Sequence, residues 1–182
     1  MIARRFVECE RFVFLDESGA KTNMTRLYGR APIGQRCRFH TPHGHWKTST
    51  MLSAIRATGV VREATLLLDG PMNAMVFRGY VEEMLVPALA PGDVVVMDNL
   101  AAHKVKGVAE AIDAAGADLW YLPPYSPDLN PIERAWSKVK TWLRRAAAGT
   151  SEALTRVVAD ALGDISAQEC LAYINGCGYT TR

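Results

Sequence analysis

The segment DVVVMDN, residues 93–99, constrains the fold more than any other part of the sequence. Four consecutive apolar residues, three of them valines, lie between two aspartates. An apolar run without polar alternation is typical of a central strand that is covered on both faces of its sheet. The segment therefore predicts an α/β fold with a buried strand that ends at Asp98.

The remaining strand-like segments indicate a mixed sheet. RFVFLDESG, residues 11–19, predicts a buried strand that ends at Asp16 in a turn. Residues 48–70 predict two strands joined as a hairpin around residues 57–59, and DLWYLPP, residues 118–124, predicts a further strand. Residues 25–39 carry two glycines and a proline, which predict a loop that includes a weak edge strand.

Helices are predicted where apolar residues recur at helical spacing. One begins at Asn73 and ends before Pro91, a second covers residues 105–115, and a third runs from Pro131 to about Ala147. One or two more follow Ser151. Strands first, and then strands alternating with helices, favour a mixed central sheet flanked by helices.

Composition and length indicate one globular domain over residues 1–182. The chain is 49% hydrophobic and 22% charged, which is ordinary for a globular protein. No apolar run approaches the roughly 20 residues that cross a bilayer, and the N-terminus lacks the apolar core of a signal peptide. We therefore expect a cytoplasmic protein with no membrane partner. The four cysteines form no C-x-x-C pair, so we expect free thiols.

Charge is distributed unevenly along a chain whose net charge is only +2. Residues 1–50 hold nine Lys/Arg and four acids, residues 51–133 hold five and eleven, and residues 134–182 hold seven and four. Basic ends and an acidic middle fit a polyanion held over carboxylates, although solvated surface charge gives the same asymmetry more often.

Three acidic residues stand at positions where functional sites are built. Asp16 and Asp98 end predicted strands, and ligands in open α/β sheets bind at that edge. Glu133 follows the proline-rich segment LPPYSPDLNP, which restricts the backbone leading into its helix. Local roles remain as alternatives: a turn for Asp16, a cap for Asp98, and for Glu133 a capping box with Asn130 as N-cap.

Taken together, the three carboxylates fit a site for divalent cations better than three separate local roles. Mg²⁺ prefers hard oxygen ligands and keeps open positions for phosphate and water. Two such ions stabilise the attacking and the leaving oxygen of an in-line phosphoryl transfer. The combination therefore predicts phosphoryl-transfer chemistry.

Three motifs together resemble a known family. FLDESG, VVVMDNLAAHK and LPPYSPDLNPIERAWSKVK occur in this order, with 34 residues between Asp98 and Glu133. They are similar to the catalytic core of DDE transposases, in the bacterial insertion-sequence branch of the mariner superfamily. The resemblance spans nearly the whole chain.

The resemblance implies a ribonuclease H-like fold in which Asp16, Asp98 and Glu133 are catalytic and hold two Mg²⁺ or Mn²⁺ ions. It implies an endonuclease and polynucleotidyl transferase that cuts DNA at transposon ends with an activated water. The freed 3′-hydroxyl would then attack target DNA, typically at a TA dinucleotide, without a covalent protein intermediate.

Other residues match positions that recur around the site of this family. Asn99, His103 and Asn130 are expected to orient a carboxylate, a water or a phosphate, with capping as the alternative for His103 and Asn130. Lys140 and Arg144 share a helix face with Glu133 and are expected to bind DNA phosphates, with plain solvation as the alternative.

The family also implies partners. Full-length relatives carry N-terminal helix-turn-helix modules, whereas only a few residues precede the first predicted strand here. We expect the second frame of a frameshifted element with a separate upstream helix-turn-helix reading frame, a truncated copy, or a fragment. Transposon-end and target DNA are the expected partners, with a homodimer on DNA. The alternatives are a ribonuclease H-like nuclease that only hydrolyses and an inactive DNA-binding remnant.

Overall fold

A five-stranded mixed sheet forms the centre of the computed structural model, which describes residues 8–38 and 45–179. Its strands are β1 (Phe12–Lys21), β2 (Thr48–Arg56), β3 (Gly59–Asp69), β4 (Val94–Met97) and β5 (Asp118–Tyr121). Their order across the sheet is β3-β2-β1-β4-β5. The first three strands pair antiparallel, whereas β4 and β5 run parallel to β1. The predicted mixed sheet is confirmed.

Five α-helices flank this sheet. They are α1 (Ala74–Tyr80), α2 (Val108–Ala114), α3 (Ile132–Ala146), α4 (Ser151–Gly163) and α5 (Ala167–Gly176). The helix predicted from Asn73 is present, but after α1 it continues as a π turn (Val81–Leu85) and a 3₁₀ turn (Val86–Ala88). Asn73 caps α1 by accepting hydrogen bonds from the amides of Met75 and Val76. One or two helices were predicted from Ser151, and the described chain has two there, α4 and α5.

The helix predicted over residues 105–115 is shorter than expected. A 3₁₀ turn covers Ala101–Lys104, and α2 begins only at Val108. Gly107 precedes α2 with a left-handed backbone, at φ 100°. A glycine tolerates this conformation because it has no Cβ. The break separates α2 from the segment that follows β4.

The first strand is longer than predicted. β1 continues past Asp16 to Lys21, so the prediction of a strand that ends in a turn at Asp16 is wrong. The cause is pairing with β2, in which Asp16 lies opposite Ser53 and Lys21 lies opposite Thr48. This partner is distant in the sequence, so local composition does not reveal it.

The loop predicted before the hairpin contains no strand in its described part. Residues 25–38 have neither helix nor strand, so the predicted edge strand is wrong there, and Phe39 lies outside the described residues. The edges of the sheet are β3 and β5. The hairpin of β2 and β3 is confirmed, with its turn at residues 57–58.

Apolar side chains fill both faces of the sheet. One face packs against α3, α4 and α5 and includes Phe12 and Phe14, and the other packs against α1 and α2 and includes Val13 and Leu15. All four residues of β4 are at most 2% exposed, which confirms a strand covered on both faces. The predicted apolar stripe of α3 is also confirmed by the burial of Ile132, Ala135, Trp136, Val139 and Leu143.

Two further expectations concern cysteine chemistry and membrane insertion. Cys9, Cys37, Cys170 and Cys177 are free thiols, as predicted. Over residues 8–38 and 45–179, no helix combines the length and the apolar character that a membrane span requires.

Candidate active site

The three predicted carboxylates line one cavity of about 340 Å³ at the end of β4. Asp16 comes from the middle of β1, and Asp98 follows β4 directly. Glu133 comes from the first turn of α3. The rest of the lining comes from Asn99, Leu100, residues 122–127 and Asn130. Three elements distant in the sequence therefore contribute one acid each.

Strand lengths explain why Asp16 borders a cavity in the middle of its own strand. β1 pairs with β4 only as far as Phe14, opposite Val96, and β4 ends at Met97. Beside Asp16 the parallel neighbour has therefore ended, while β2 continues on the other side. Because side chains alternate along a strand, Asp16 shares the face of Phe12 and Phe14, which is the face that α3 covers.

The surroundings of Asp16 disfavour its charged carboxylate. It is only 6% exposed. Its pKa is raised to about 7, first by burial and then by the charges of Glu133 and Asp98. An amide hydrogen bond and the nearby His103 act in the opposite direction. Both main causes disfavour the charged form, so the site holds a carboxylate that a cation would stabilise.

Asp98 is oriented by a buried histidine. His103 Nδ1 lies 2.5 Å from Asp98 Oδ1, and the imidazole is fully buried. Its ring stacks on Phe77 with centroids 4.3 Å apart. Burial alone lowers the pKa of His103, but the hydrogen bond and the charge of Asp98 outweigh burial and raise it. The structure thus brings His103 to the site through Asp98.

The start of α3 does not use Asn130 and Glu133 as a cap. α3 begins at Ile132 with Pro131 in the N-cap position, and no side chain in the described chain caps it. The Glu133 amide instead donates to the Asn130 backbone carbonyl at 3.2 Å. The capping-box alternative is therefore wrong, and both side chains remain available to the cavity.

Two amides at the cavity carry unused acceptors. Asn99 Oδ1 and Asn130 Oδ1 are buried and have no hydrogen-bond partner among the described residues. A buried polar atom without a partner is unfavourable, so such atoms indicate a bound group. Sequence reasoning had selected both residues, and the structure brings both to the cavity.

The chemistry of this donor set fits a divalent cation. Three carboxylates and two unpaired amide oxygens are hard ligands of the kind that Mg²⁺ and Mn²⁺ prefer. As placed, no three His, Cys, Asp or Glu side chains within the described ranges are close enough to hold one ion. The acids share a cavity, but they do not converge on a single coordination point.

A second cavity, of about 520 Å³, shares part of its lining with the first. The two share Asn130, Glu133 and Pro127. The second cavity is also lined by Arg134, whose guanidinium donates to the Gly176 carbonyl at 3.2 Å. Glu133 therefore lines both cavities.

Lys140 and Arg144 do not reach either cavity. Both lie on α3, half-buried, farther along the helix from Glu133. At 1.5 Å per residue, Lys140 stands about 10 Å beyond Glu133 along the helix axis. Their predicted role in DNA binding stays a prediction.

Three residues near the site were not selected from the sequence. Leu100 and Tyr125 line the cavity with exposed apolar side chains. Glu17 lies on the opposite face of the sheet from Asp16, and its Oε2 is buried without a hydrogen-bond partner in the described structure. Strand alternation next to Asp16 is a signal that would have drawn attention to Glu17.

Comparison with known proteins identifies the family. The family described as DDE superfamily endonuclease matches residues 11–155, a range that includes all three carboxylates. The chain belongs to this family. A DDE endonuclease domain implies polynucleotidyl-transferase chemistry that depends on divalent metal, so the class of enzyme expected from the sequence is confirmed.

Relatives of this DDE domain are transposases. The chain is 27% identical over 194 residues to the transposable element Tcb2 transposase of Caenorhabditis briggsae, and the match covers 93% of this chain and 69% of the relative. The match is to the Tc1/mariner type of transposase, and the bacterial branch expected from the sequence is not among these findings.

Solved structures of Mos1 transposase share the fold of this DDE domain. The Mos1 paired-end complex with left transposon end matches with a TM-score of 0.77 and 17% identity, over 93% of this chain and 52% of that chain. The Mos1 mariner paired-end complex with Mn matches with a TM-score of 0.76 and 17% identity, over 92% and 52%. The ribonuclease H-like fold is confirmed, and the chain spans about half the length of these Mos1 chains.

Proposed function

We propose that this chain is the catalytic domain of a DNA transposase, of the bacterial insertion-sequence branch of the mariner superfamily. It cleaves DNA strands at transposon ends and joins the freed 3′-hydroxyl to target DNA. The observation that carries the proposal is the meeting of Asp16, Asp98 and Glu133 in one cavity. The family match over residues 11–155 supports the same chemistry.

Asp16, Asp98 and Glu133 are the residues that would hold two Mg²⁺ or Mn²⁺ ions. When bound, such ions provide Lewis acidity and lower the pKa of water for in-line displacement at phosphorus. The raised pKa of Asp16, caused by burial and by the neighbouring acids, supports this assignment because a cation favours the charged carboxylate.

His103, Asn99 and Asn130 support the three acids. His103 fixes the orientation of the Asp98 carboxylate through its Nδ1 contact, as partners of metal-binding side chains commonly do. Asn99 and Asn130 line the cavity, and their buried amide oxygens have no hydrogen-bond partner in the described structure. The proposal assigns these oxygens to accept hydrogen bonds from a water or from the attacking hydroxyl. These residues act by orienting groups, without forming a bond to DNA.

The proposed path of DNA runs over Glu133, because Glu133 lines both cavities. Lys140 and Arg144 lie farther along the same helix and contact the DNA phosphates beyond the site. The proposal includes a single catalytic domain over residues 1–182 that acts in the cytoplasm. It also includes a homodimer on DNA and a helix-turn-helix module encoded in a separate upstream frame.

Strand cleavage of supercoiled plasmid DNA with Mn²⁺ tests the proposal. We expect the wild-type chain to nick the plasmid, and Asp98→Asn to reduce the rate on the order of a thousandfold, the effect of removing one charge-stabilising group from an active site. Asp160→Asn is the matched control, because Asp160 is exposed on α4 and lines neither cavity. It should nick like the wild type.

A pre-cut donor duplex with a free 3′-hydroxyl separates the transposase from a nuclease that only hydrolyses. We expect joined products that depend on the three carboxylates. Nicking without joining, also after the upstream module is supplied, supports the hydrolytic nuclease. Normal nicking by Asp98→Asn, or none by the wild type, contradicts the proposed site.

A further inference from the structure

Tyr125 stands at the rim of the carboxylate cavity in an unusual state. Its side chain is fully exposed, at 102% of the reference area, and its backbone is left-handed, with φ 57°. Residues other than glycine avoid this region because Cβ crowds the following carbonyl oxygen, and a bulky aromatic residue is rare there. An exposed turn position would normally hold Gly, Asn or Asp. Strained residues of this kind concentrate at ligand sites.

The segment around Tyr125 is rich in proline, which restricts its backbone. Pro123, Pro124 and Pro127 fix three of the backbone φ angles on either side of it. The Leu122 amide donates to the Met97 carbonyl at 2.9 Å, which joins the segment to the end of β4. Within the segment, the Leu129 amide donates to the Ser126 carbonyl at 3.1 Å. The backbone that carries the exposed ring is therefore restricted on both sides of Tyr125.

A second apolar side chain shares the rim. Leu100 is 45% exposed and lines the same cavity from the segment that follows β4. The cavity therefore combines an acidic floor with two exposed apolar groups carried by different segments. A nucleotide has two parts that match these features. Its phosphodiester binds through cations at the acids, and its flat base offers an apolar face to the apolar groups.

We propose that Tyr125 stacks on the nucleobase next to the phosphate held over the three carboxylates, with Leu100 contacting the same base. This inference rests on the proposed function, because it takes DNA as the ligand. Stacking on an aromatic ring tolerates any base, so the contact positions the strand without reading its sequence. Tyr125 is a positioning residue, since its ring touches the base and not the reacting phosphate.

Single-stranded DNA binding provides the test. A fluorescent 20-mer of mixed sequence and an abasic 20-mer with the same backbone are titrated with the full chain, with Ca²⁺ in place of Mg²⁺. We expect Tyr125→Ala and Tyr125→Asn to weaken binding of the normal strand roughly tenfold, as the loss of one base–aromatic stack does. Tyr125→Phe keeps the ring and should bind like the wild type.

The abasic strand and two controls make the result specific. All variants should bind the abasic strand equally, since it offers no base to stack. Tyr125→Asn controls for misfolding, because asparagine tolerates the left-handed backbone. The melting temperature of this variant should equal or exceed that of the wild type. Tyr28→Ala removes a tyrosine that is 90% exposed but does not line the cavity, and it should bind both strands normally.

The possible outcomes separate this inference from the proposed function. Unchanged binding of the normal strand by Tyr125→Asn, or an equal loss on the abasic strand, overturns the inference while plasmid nicking by the wild type still supports the transposase. Base-dependent loss in a chain that does not nick supports stacking and contradicts the proposed catalysis. A wild-type chain that binds neither strand contradicts both.

Discussion

Two groups of acids lie at helix α3, and their pKa values shift in opposite directions. At its first turn, Glu133 faces Asp16 and Asp98 across the cavity, and the pKa of Asp16 rises to about 7. Just over one turn later, Lys138 lies 2.9 Å from Asp164 Oδ2 and 2.8 Å from Glu169 Oε1. There the hydrogen bond from Lys138 is the main cause that lowers the pKa of Glu169 to about 2.

The difference lies in the source of positive charge. The outer group has its own lysine, which links α3 to the segment between α4 and α5 and to α5 itself. No lysine or arginine is among the residues that line the carboxylate cavity in the described chain. An acid group with an internal cation stabilises the fold, whereas one without it stores repulsion that a bound cation relieves. The comparison distinguishes acids that are paired with a lysine of α3 from acids of the cavity that are not.

The largest expected effect comes from neutralising the acid of the cavity that lies on α3. Glu133→Gln should reduce Mn²⁺-dependent nicking by a factor on the order of a hundred or more, because it removes a charged donor from the site. The free energy of unfolding should not fall, since the Glu133 side chain caps nothing in the described structure and its neutralisation removes repulsion on Asp16. Nicking rates and urea unfolding of the same preparation check both statements. Clear destabilisation with retained nicking would show that Glu133 is structural.

Removing the internal cation should have the reverse result. Lys138→Met leaves Asp164 and Glu169 unpaired and should lower the free energy of unfolding by about 1 kcal/mol, a modest value because these side chains are partly exposed. Nicking per folded molecule should not change. Lys140→Met is the control for stability, because no ion pair of Lys140 is found within the described ranges. A large loss of nicking by Lys138→Met would break the comparison.

The smallest expected effect is a dependence of stability on pH. Glu169 has a lower pKa in the folded chain than in the unfolded chain, so its contribution is present above about pH 4.5 and is lost as the pH falls toward 2. Glu169 is about a third exposed, so the contribution should stay below about 1 kcal/mol. Chemical unfolding of the wild type and Glu169→Gln at several pH values measures it. The two curves should converge at low pH, and a constant gap would contradict the assignment.

Features that depend on local sequence patterns could be predicted from the sequence. Asp98 could be located because an uninterrupted apolar run identifies β4, and Glu133 could be placed on α3 because the apolar stripe of that helix is regular. Asp16 was placed at the end of its strand, although β1 continues past it, because DESG has a turn composition and the pairing partner Ser53 is far away in the chain. Pairing between distant segments is invisible to a local pattern.

Other features of the site depend on geometry that composition does not encode. Asn130 and Glu133 have the spacing of a capping box, yet Pro131 takes the N-cap position and leaves both side chains free. The contact between His103 and Asp98 spans a 3₁₀ turn, Ala101–Lys104, that the sequence did not predict. The left-handed backbone of Tyr125 is opposite to the preference of its own residue type.

The position of β1 in the sheet affects how the candidate site is lost on heating. Asp16 sits in a strand paired on one side along nearly its whole length and in the centre of the sheet, so its backbone opens only when the domain unfolds. Glu133 depends on a connecting segment, residues 122–131, whose hydrogen bonds are few and mostly local. Such segments open at lower free energy than a central strand. Warming should therefore inactivate the domain by a sub-global opening of this segment, at temperatures where amide exchange in β1 is still slow.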